Sequence, residues 1–527
     1  MKKRVVSFVL LVCMIASMLP LRVAANAEVA GGSCGEDVTW SLSADGTLTI
    51  SGTGPMTDYT QGQAPWKGQP QMIQEVVVEE GVSTIGANAF FLLTYLTRVS
   101  VPTTLTEIHD CAFMACFELK TISLPEGLTV IGESAFEDCY SLVDFHVPQT
   151  VTTIGRYAFC GAKLEKVRLP DGIVQIADYA FAALELQEVS LHEGVVSIGA
   201  GAFFGTDIQY INIPDKVRSI GESAFGSCHK LIELHIPEGV ESIGNHVAHN
   251  CQKLETVSIP STVTTMGYGL VTLCPSLVAV ELSDGNKSYI MEDQVIYTAD
   301  RKQIHTVLPV KSGAYVIPET VTAIGPYAAM SCEKLTAITI PTNVTSMGIW
   351  AFNGCKALTE VTVPHSIQEL PERAFGCCDN LKSVSLPYNL TTIGEEAFTF
   401  CRGLTKISIP AGVTFIGSGA FRDCDSMKFI VFHGDAPLFE REVFFSTVTT
   451  AYYPTGNSTW NTTNRQNYGG TITWRVNTLC QIGHSLSDWT TIQEPTCIAE
   501  GIKQRSCYTC GLLTLGSIPQ IEHRYTE

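Results

Sequence analysis

The stretch Leu119–Cys139 reads LKTISLPEGLTVIGESAFEDC, and its pattern decides the fold of most of the chain. Ile122 and Leu124 alternate with Thr121 and Ser123, the period-two signature of a strand that turns one face inward. Pro125 ends that strand, because proline brings no backbone N–H to a ladder. Ile131 and Gly132 follow as a short extended piece and a corner, and Phe136 and Cys139 close the unit around a predicted helical turn. The same order returns every 22 or 23 residues. The proline slot recurs at Pro102, Pro125, Pro148, Pro170, Pro214, Pro237 and Pro260, then at Pro318, Pro341, Pro364, Pro387 and Pro410. Between Pro170 and Pro214 two units fit, with His192 in the slot, and Glu79, Ser283 and His433 stand there in other units.

Self-similarity at this period marks a solenoid. A single unit cannot hold itself together. Ordering each residue costs about 1.5 kcal/mol, and the few apolar side chains of one unit each return only about 1.5–3 kcal/mol on burial. Neighbouring coils supply the missing contacts. A phenylalanine eleven residues after the slot, from Phe90 to Phe444, reads as an internal packing column. A glycine seven residues after it, as at Gly132 or Gly244, marks a corner where a Cβ would clash or φ turns positive. Ten cysteines fall fourteen residues after the slot, from Cys116 to Cys424, and are expected to be buried, reduced thiols.

The iterated pattern LxxVxIPxxVxxIGxxAFxxC resembles the BspA-like leucine-rich repeat of bacterial surface proteins, over about Gln71–Thr450. The resemblance implies a parallel β-sheet with short strands and helical turns on the other side. It also implies a secreted or surface-displayed protein associated with adhesion to host proteins or other cells. Cys34–Gly54 reads as strand, turn at Asp45 and Gly46, and strand, and with Pro65 and Trp66 it resembles the β cap that precedes such repeats. The expected organisation is a signal peptide at 1–27, an N-terminal β cap at 28–70, the solenoid at 71–432, a C-terminal cap at 433–478 and a small Cys/His-rich module at 479–527. Within the solenoid, the surplus of residues at 284–317 reads as a hairpin island turning near Asp300–Lys302.

Lys2, Lys3 and Arg4 ahead of the apolar run Val5–Leu19, with small residues at Ala25 and Ala27, give the form of a signal peptide cut near Ala27. No second long apolar run follows, so no transmembrane segment is expected after cleavage. The chain carries 33 Lys and Arg against 52 Asp and Glu, a net charge of −19, which argues against nucleic acid as a partner. Its histidines form no HExxH, and no Walker or GxGxxG motif is present. His246 and His249 read as occupants of variable repeat slots before they read as a metal pair. The chain is therefore expected to be non-catalytic and to need no cofactor in the solenoid.

The expected binding surface is the concave face, formed by positions four and two residues before each slot. Its candidate residues are Lys166, Arg168, Glu188, Tyr210, Glu233 and His235, and the expected partners are proteins, host matrix or other cell-surface components. The alternatives are a structural spacer or envelope component, and a binding arm of a hydrolytic system.

The tail brings Cys497 and the knuckle Cys507-Tyr-Thr-Cys510-Gly511, with His484 or His523 as the fourth candidate ligand. Four N or S ligands suit structural zinc, while an exported chain equally suits a disulfide from Cys497 to Cys507 or Cys510. Elemental analysis of the isolated tail, purified without chelator or metal-binding tag, separates the two. A zinc site gives close to one zinc per chain, and less than about a tenth of one rejects it.

Overall fold

The computed structural model describes residues 28–143, 145–477, 490–493, 501–506 and 513–518. The expected signal segment and the tail positions His484, Cys497, Cys507, Cys510 and His523 lie outside the described residues. The chain divides into two compact units, Met1–Gly194 and Val195–Glu527. Each is a stack of coils with parallel strands.

In the first unit, strands Glu28–Ser33, Val38–Ser43 and Thr47–Gly52 run antiparallel, and the third pairs in parallel with Glu75–Val78. Arg98–Ser100 and Thr121–Ile122 extend that sheet. A second parallel sheet joins Val82–Ile85, Glu107–Ile108, Val130–Ile131 and Thr153–Ile154. A coil such as that of Pro102 or Pro125 thus contributes one strand before its proline slot and one after it. In the second unit the same two-strand pattern runs through Glu233–His235 and Thr256–Ile259, and through Ser219–Ile220, Ser242–Ile243 and Thr265–Met266. Two parallel six-residue strands, Val448–Tyr453 and Thr471–Val476, follow the last phenylalanine of the column. In the tail, Thr490–Gln493, Gly501–Ser506 and Leu513–Ile518 form an antiparallel sheet.

The phenylalanine column packs ring on ring. In the first unit it starts from Trp66, which stacks on Phe90 at 5.6 Å, and continues through Phe113, Phe136, Phe159 and Phe181 at 5.2–5.6 Å. In the second unit Phe352, Phe375, Phe398, Phe421 and Phe444 stack at 5.5–5.9 Å. These rings are fully buried, and such pairs contribute about 0.5–1.5 kcal/mol each beyond their buried area.

The cysteine column is buried and unbridged, and it has a hydrogen-bonding role that spacing alone did not reveal. Each thiol donates to a carbonyl of the preceding coil: Cys116 to Phe90 O at 3.2 Å, Cys139 to Phe113 O at 3.3 Å, Cys378 to Phe352 O at 3.3 Å and Cys401 to Phe375 O at 3.1 Å. Thr447 does the same toward Phe421 O at 2.6 Å. Burial pushes the Cys228 thiol up to about 11, and the Cys116 and Cys424 thiols further still. These three thiols are therefore protonated and inert at neutral pH.

One expectation is corrected. The segment around Ala135 and Phe136, and its counterparts, is not a helical turn. The described residues contain no α-helix, and their one helical element is the 3-10 turn Pro65–Gly68. Instead, left-handed residues recur nine and thirteen positions after each slot, as at Asn88 and Leu92, Cys111 and Ala115, and Ser134 and Asp138, with φ between 54° and 60°. They alternate with residues of negative φ. This sends alternate N–H groups out of the coil: Asn88 N bonds Asp110 O at 2.9 Å, Phe90 N bonds Ala112 O at 2.8 Å and Leu92 N bonds Met114 O at 3.0 Å. The groups between them close i to i−3 turns, as Ala89 N does on Gly86 O at 3.2 Å. A helix would keep every such donor within its own coil. Left-handed backbone costs about 1–2 kcal/mol per non-glycine residue, and the bonds to the neighbouring coil hold it there.

The repeat glycine has negative φ, so close approach is what selects it. A Cβ on Gly267 would stand 2.2 Å from Asn245 N, and one on Gly244 2.3 Å from Glu222 N.

The island is a three-stranded antiparallel meander, Tyr289–Glu292, Val295–Thr298 and Gln303–Val307, and its last strand runs parallel to Ala323–Ile324. Val295, Ile296, Ile304 and Val307 are fully buried. It is thus a coil of the stack with an outward fold rather than an appendage, and excising it would open the core. Lys311, whose side chain is only 6 % exposed, holds the meander's first turn through Asp293 Oδ2 at 2.7 Å and Asp293 O at 2.8 Å.

Gly267→Ala should lower stability by about 1–3 kcal/mol, the range for overpacking against backbone that cannot move. Gly68→Ala, where a Cβ meets nothing within 4 Å, should stay within about 0.5 kcal/mol. Denaturant unfolding of the two variants checks the contrast.

Candidate interaction surface

On the strands that precede the slots, the middle residue is buried and its two neighbours face solvent. Lys166, Val167 and Arg168 show this pattern, as do Glu188, Val189 and Ser190, and Glu233, Leu234 and His235. Strict alternation follows from the pleat, and it forces every second residue outward regardless of its chemistry. Every candidate residue chosen from the sequence is exposed, including Tyr210 at 56 %.

In the first unit, the pair Lys166–Arg168 and Glu188–Ser190 lies in parallel register, with Lys166 opposite Glu188. Lys166 Nζ stands 3.0 Å from Glu188 Oε2, and Arg98 stands 3.3 Å from Glu75 across the pair Glu75–Val78 and Arg98–Ser100. These pairs are largely solvent-exposed and add little to stability. In the second unit, Glu233 lies opposite Thr256 and His235 opposite Ser258, with His235 Nδ1 at 2.6 Å from Ser258 Oγ. The face therefore presents charges and hydroxyls on a rigid, backbone-paired support.

Two histidine groups were separated only by the coordinates. His246 and His249 place their ring centroids 5.4 Å apart, and His249 Nδ1 lies 2.8 Å from the His246 carbonyl oxygen. No third ligand joins them: among the described residues no group of three His, Cys, Asp or Glu side chains could hold a metal. His246 instead leads a half-buried aromatic corner with Tyr327 at 4.6 Å, followed by Trp350 and Arg373, the guanidinium 4.2 Å from the Trp350 ring. These residues sit nine positions after their slots, and the sequence offered no periodic signal for them.

His305, on the last strand of the meander, is buried. Its Nε2 is 3.0 Å from Met266 O and its Nδ1 2.9 Å from Thr306 Oγ1, with Tyr268 stacked at 4.9 Å and Tyr289 edge-on at 5.2 Å. Burial holds it below the usual histidine range. His109 is opposite in behaviour. Burial pulls its pKa down, but Asp58 at 2.7 Å and Glu107 at 3.2 Å outweigh that and hold it above the usual range.

These coils, with their buried ladders and outward-facing strand positions, define a leucine-rich-repeat scaffold. The chain belongs to the BspA type leucine rich repeat family, whose six-copy model matches residues 69–184, 152–278 and 313–448. Among solved structures it is similar to a leucine-rich repeat protein from Bacteroides ovatus, at 22 % identity over 84 % of this chain and 98 % of that one, with a TM-score of 0.38. It is also similar to a leucine-rich repeat protein from Eubacterium ventriosum, at 25 % identity over 75 % and 95 % of the two chains, TM-score 0.34. A leucine rich cell surface protein from Faecalibacterium prausnitzii is 24 % identical over 77 % and 95 %, TM-score 0.40. No curated protein sequence matches. Among the described residues no helix is long and apolar enough to cross a membrane.

The two buried or bridged histidines set opposite slopes of stability against pH. Folded His305 resists the proton that its unfolded form accepts near pH 6.5, so its contribution is full above that pH and falls as the pH drops below it. His109 contributes fully below about 6.5 and loses its contribution as the pH rises through its elevated folded pKa. In urea unfolding between pH 7.5 and 5.5, His305→Gln should therefore flatten the acid-side loss of stability and His109→Gln should steepen it.

Proposed function

We propose that this is a secreted or surface-displayed, non-catalytic protein that binds protein partners through the strand face, serving adhesion to host matrix or other cell-surface proteins. The observation that carries this reading is the alternation on that face. Polar and charged side chains at Lys166, Arg168, Glu188, Glu233 and His235 project from strands whose intervening residues anchor the core, so the surface is presented without strand movement. Pre-organised display lowers the ordering cost of association. Export is supported by the Lys2–Arg4, Val5–Leu19 and Ala25–Ala27 pattern, and family membership supports a protein-interaction role.

The test replaces Lys166, Arg168, Glu188 and Glu233 together by alanine and measures capture of the chain on a panel of immobilised extracellular matrix proteins. Capture by the native chain should fall and lose part of its salt dependence in the variant, since exposed charges steer association. The unfolding free energy should change by less than about 1 kcal/mol. Unchanged capture by the variant, or no capture by the native chain, counts against this face and in favour of a spacer role.

A further inference from the structure

In the second unit the sheet that follows the slots lacks one rung. Where the ladder is regular, one carbonyl serves the next coil three times: Glu241 O accepts from Thr264 N at 2.9 Å, Thr265 N at 3.2 Å and Thr264 Oγ1 at 3.2 Å. Lys302 O serves Thr322 N, Ala323 N and Thr322 Oγ1 in the same way. Between these two rungs the ladder breaks. The donors due to reach Thr264 O turn back into the meander instead, Lys302 N to Asp300 Oδ1 at 3.1 Å and Gln303 N to Thr298 Oγ1 at 3.1 Å. Side chains cover the next backbone groups, Tyr289 OH accepting from Met266 N at 2.9 Å and His305 Nε2 reaching Met266 O. The carbonyl of Thr264 finds no donor among the described residues.

The break leaves a trough of about 510 Å³ walled by Thr264, Ser288, Tyr289, Thr298, Gln303 and Thr322, with Asp300 and Lys302 at its rim. Its volume falls within the roughly 300–1,000 Å³ of small-molecule sites. Its lining offers mainly acceptors: the Thr264, Thr298 and Thr322 hydroxyls donate to Glu241 O, Asp300 Oδ1 and Lys302 O, which leaves their lone pairs beside the Ser288 hydroxyl, the Gln303 amide oxygen, the Thr264 carbonyl and one tyrosine ring. The rim charges cancel. An anion would meet the Asp300 carboxylate and the Thr264 carbonyl, and an apolar ligand would strip water from that carbonyl and the remaining acceptor lone pairs without replacing it. A peptide strand needs a row of free backbone groups, and only one carbonyl is offered. A neutral polyol, whose hydroxyls each donate and accept, matches the lining. We infer that the trough where the ladder breaks, between Thr264 and the meander, is a binding site for a neutral saccharide, separate from the protein-binding face.

The probes are tetrasaccharides of glucose, mannose, galactose and N-acetylglucosamine, titrated into the full chain by calorimetry and saturation-transfer NMR. At least one should bind, with an affinity on the order of 1 mM for so open a site, and should slow hydrogen exchange at residues 298–303. Ala299 and Thr322 are exposed, so Ala299→Trp and Thr322→Trp block the trough from two sides without touching the core. Each should weaken binding at least tenfold with an unchanged melting temperature, and the strand-face quadruple variant should bind saccharide normally. If no probe binds, if binding survives both tryptophan variants, or if only an extended peptide protects residues 298–303, the assignment is overturned.

Discussion

Contact between one coil and the next is the interaction on which this molecule depends, because a coil of 22 or 23 residues has no interior of its own. Coil-to-coil contact is made in layers: two parallel strand ladders, a column of phenylalanines, a column of thiols and a third ladder built from alternating backbone. The repeat glycine lets these layers close together. Were the backbones held a few tenths of an ångström further apart at Gly244 or Gly267, the hydrogen bonds on either side would lengthen with them. The small residues beside the phenylalanine, such as Ala112, Ala135 and Ala158, are buried by the same closeness.

This support makes the outer face permissive. Since the inward residue of each strand is fixed by packing, the outward ones can vary without cost to the fold. The chain displays Lys166, Arg168, Tyr210 and His235 there while keeping Val167, Ile211 and Leu234 buried between them. The meander at Tyr289–Val307 disturbs the ladder locally and is stitched back by His305, Tyr289 and Lys311.

What the sequence disclosed and what it hid divide along a physical line. Periodic apolar residues reveal whatever is repeated and buried, so the strands, the phenylalanine column and the cysteine column were legible from Leu119–Cys139 alone. Backbone conformation is not written in polarity. Left-handed φ is expected at glycine or asparagine, yet here it falls on Leu92, Tyr157, Trp350 and Phe400, whose side chains give no warning. The segment therefore read as a helical turn. Interactions between residues far apart in sequence, such as His305 with Met266 or His109 with Asp58, were equally invisible. The outward positions could be numbered from the proline slot, but which of them meet, as Lys166 and Glu188 do, required the register.

The alternating ladder also has a polarity. In an ordinary β-sheet, neighbouring peptide dipoles point in opposite senses and largely cancel. Here the outgoing N–H groups of each coil all aim at the following coil, as Phe113 N does at Ala135 O and Phe136 N at Ala158 O. Aligned dipoles add, as they do along a helix. In this ladder the first coil offers acceptors, met by Tyr59 N on Ala87 O at 2.8 Å and Trp66 Nε1 on Ala89 O at 2.9 Å. The coil of Phe444 offers only donors, met by Tyr468 O at 3.1 Å from Phe444 N and Gly469 O at 3.3 Å from Ser446 N. The two ends are electrically unlike. Along this ladder, a chain cut between coils exposes a row of donors on one fragment and a row of acceptors on the other.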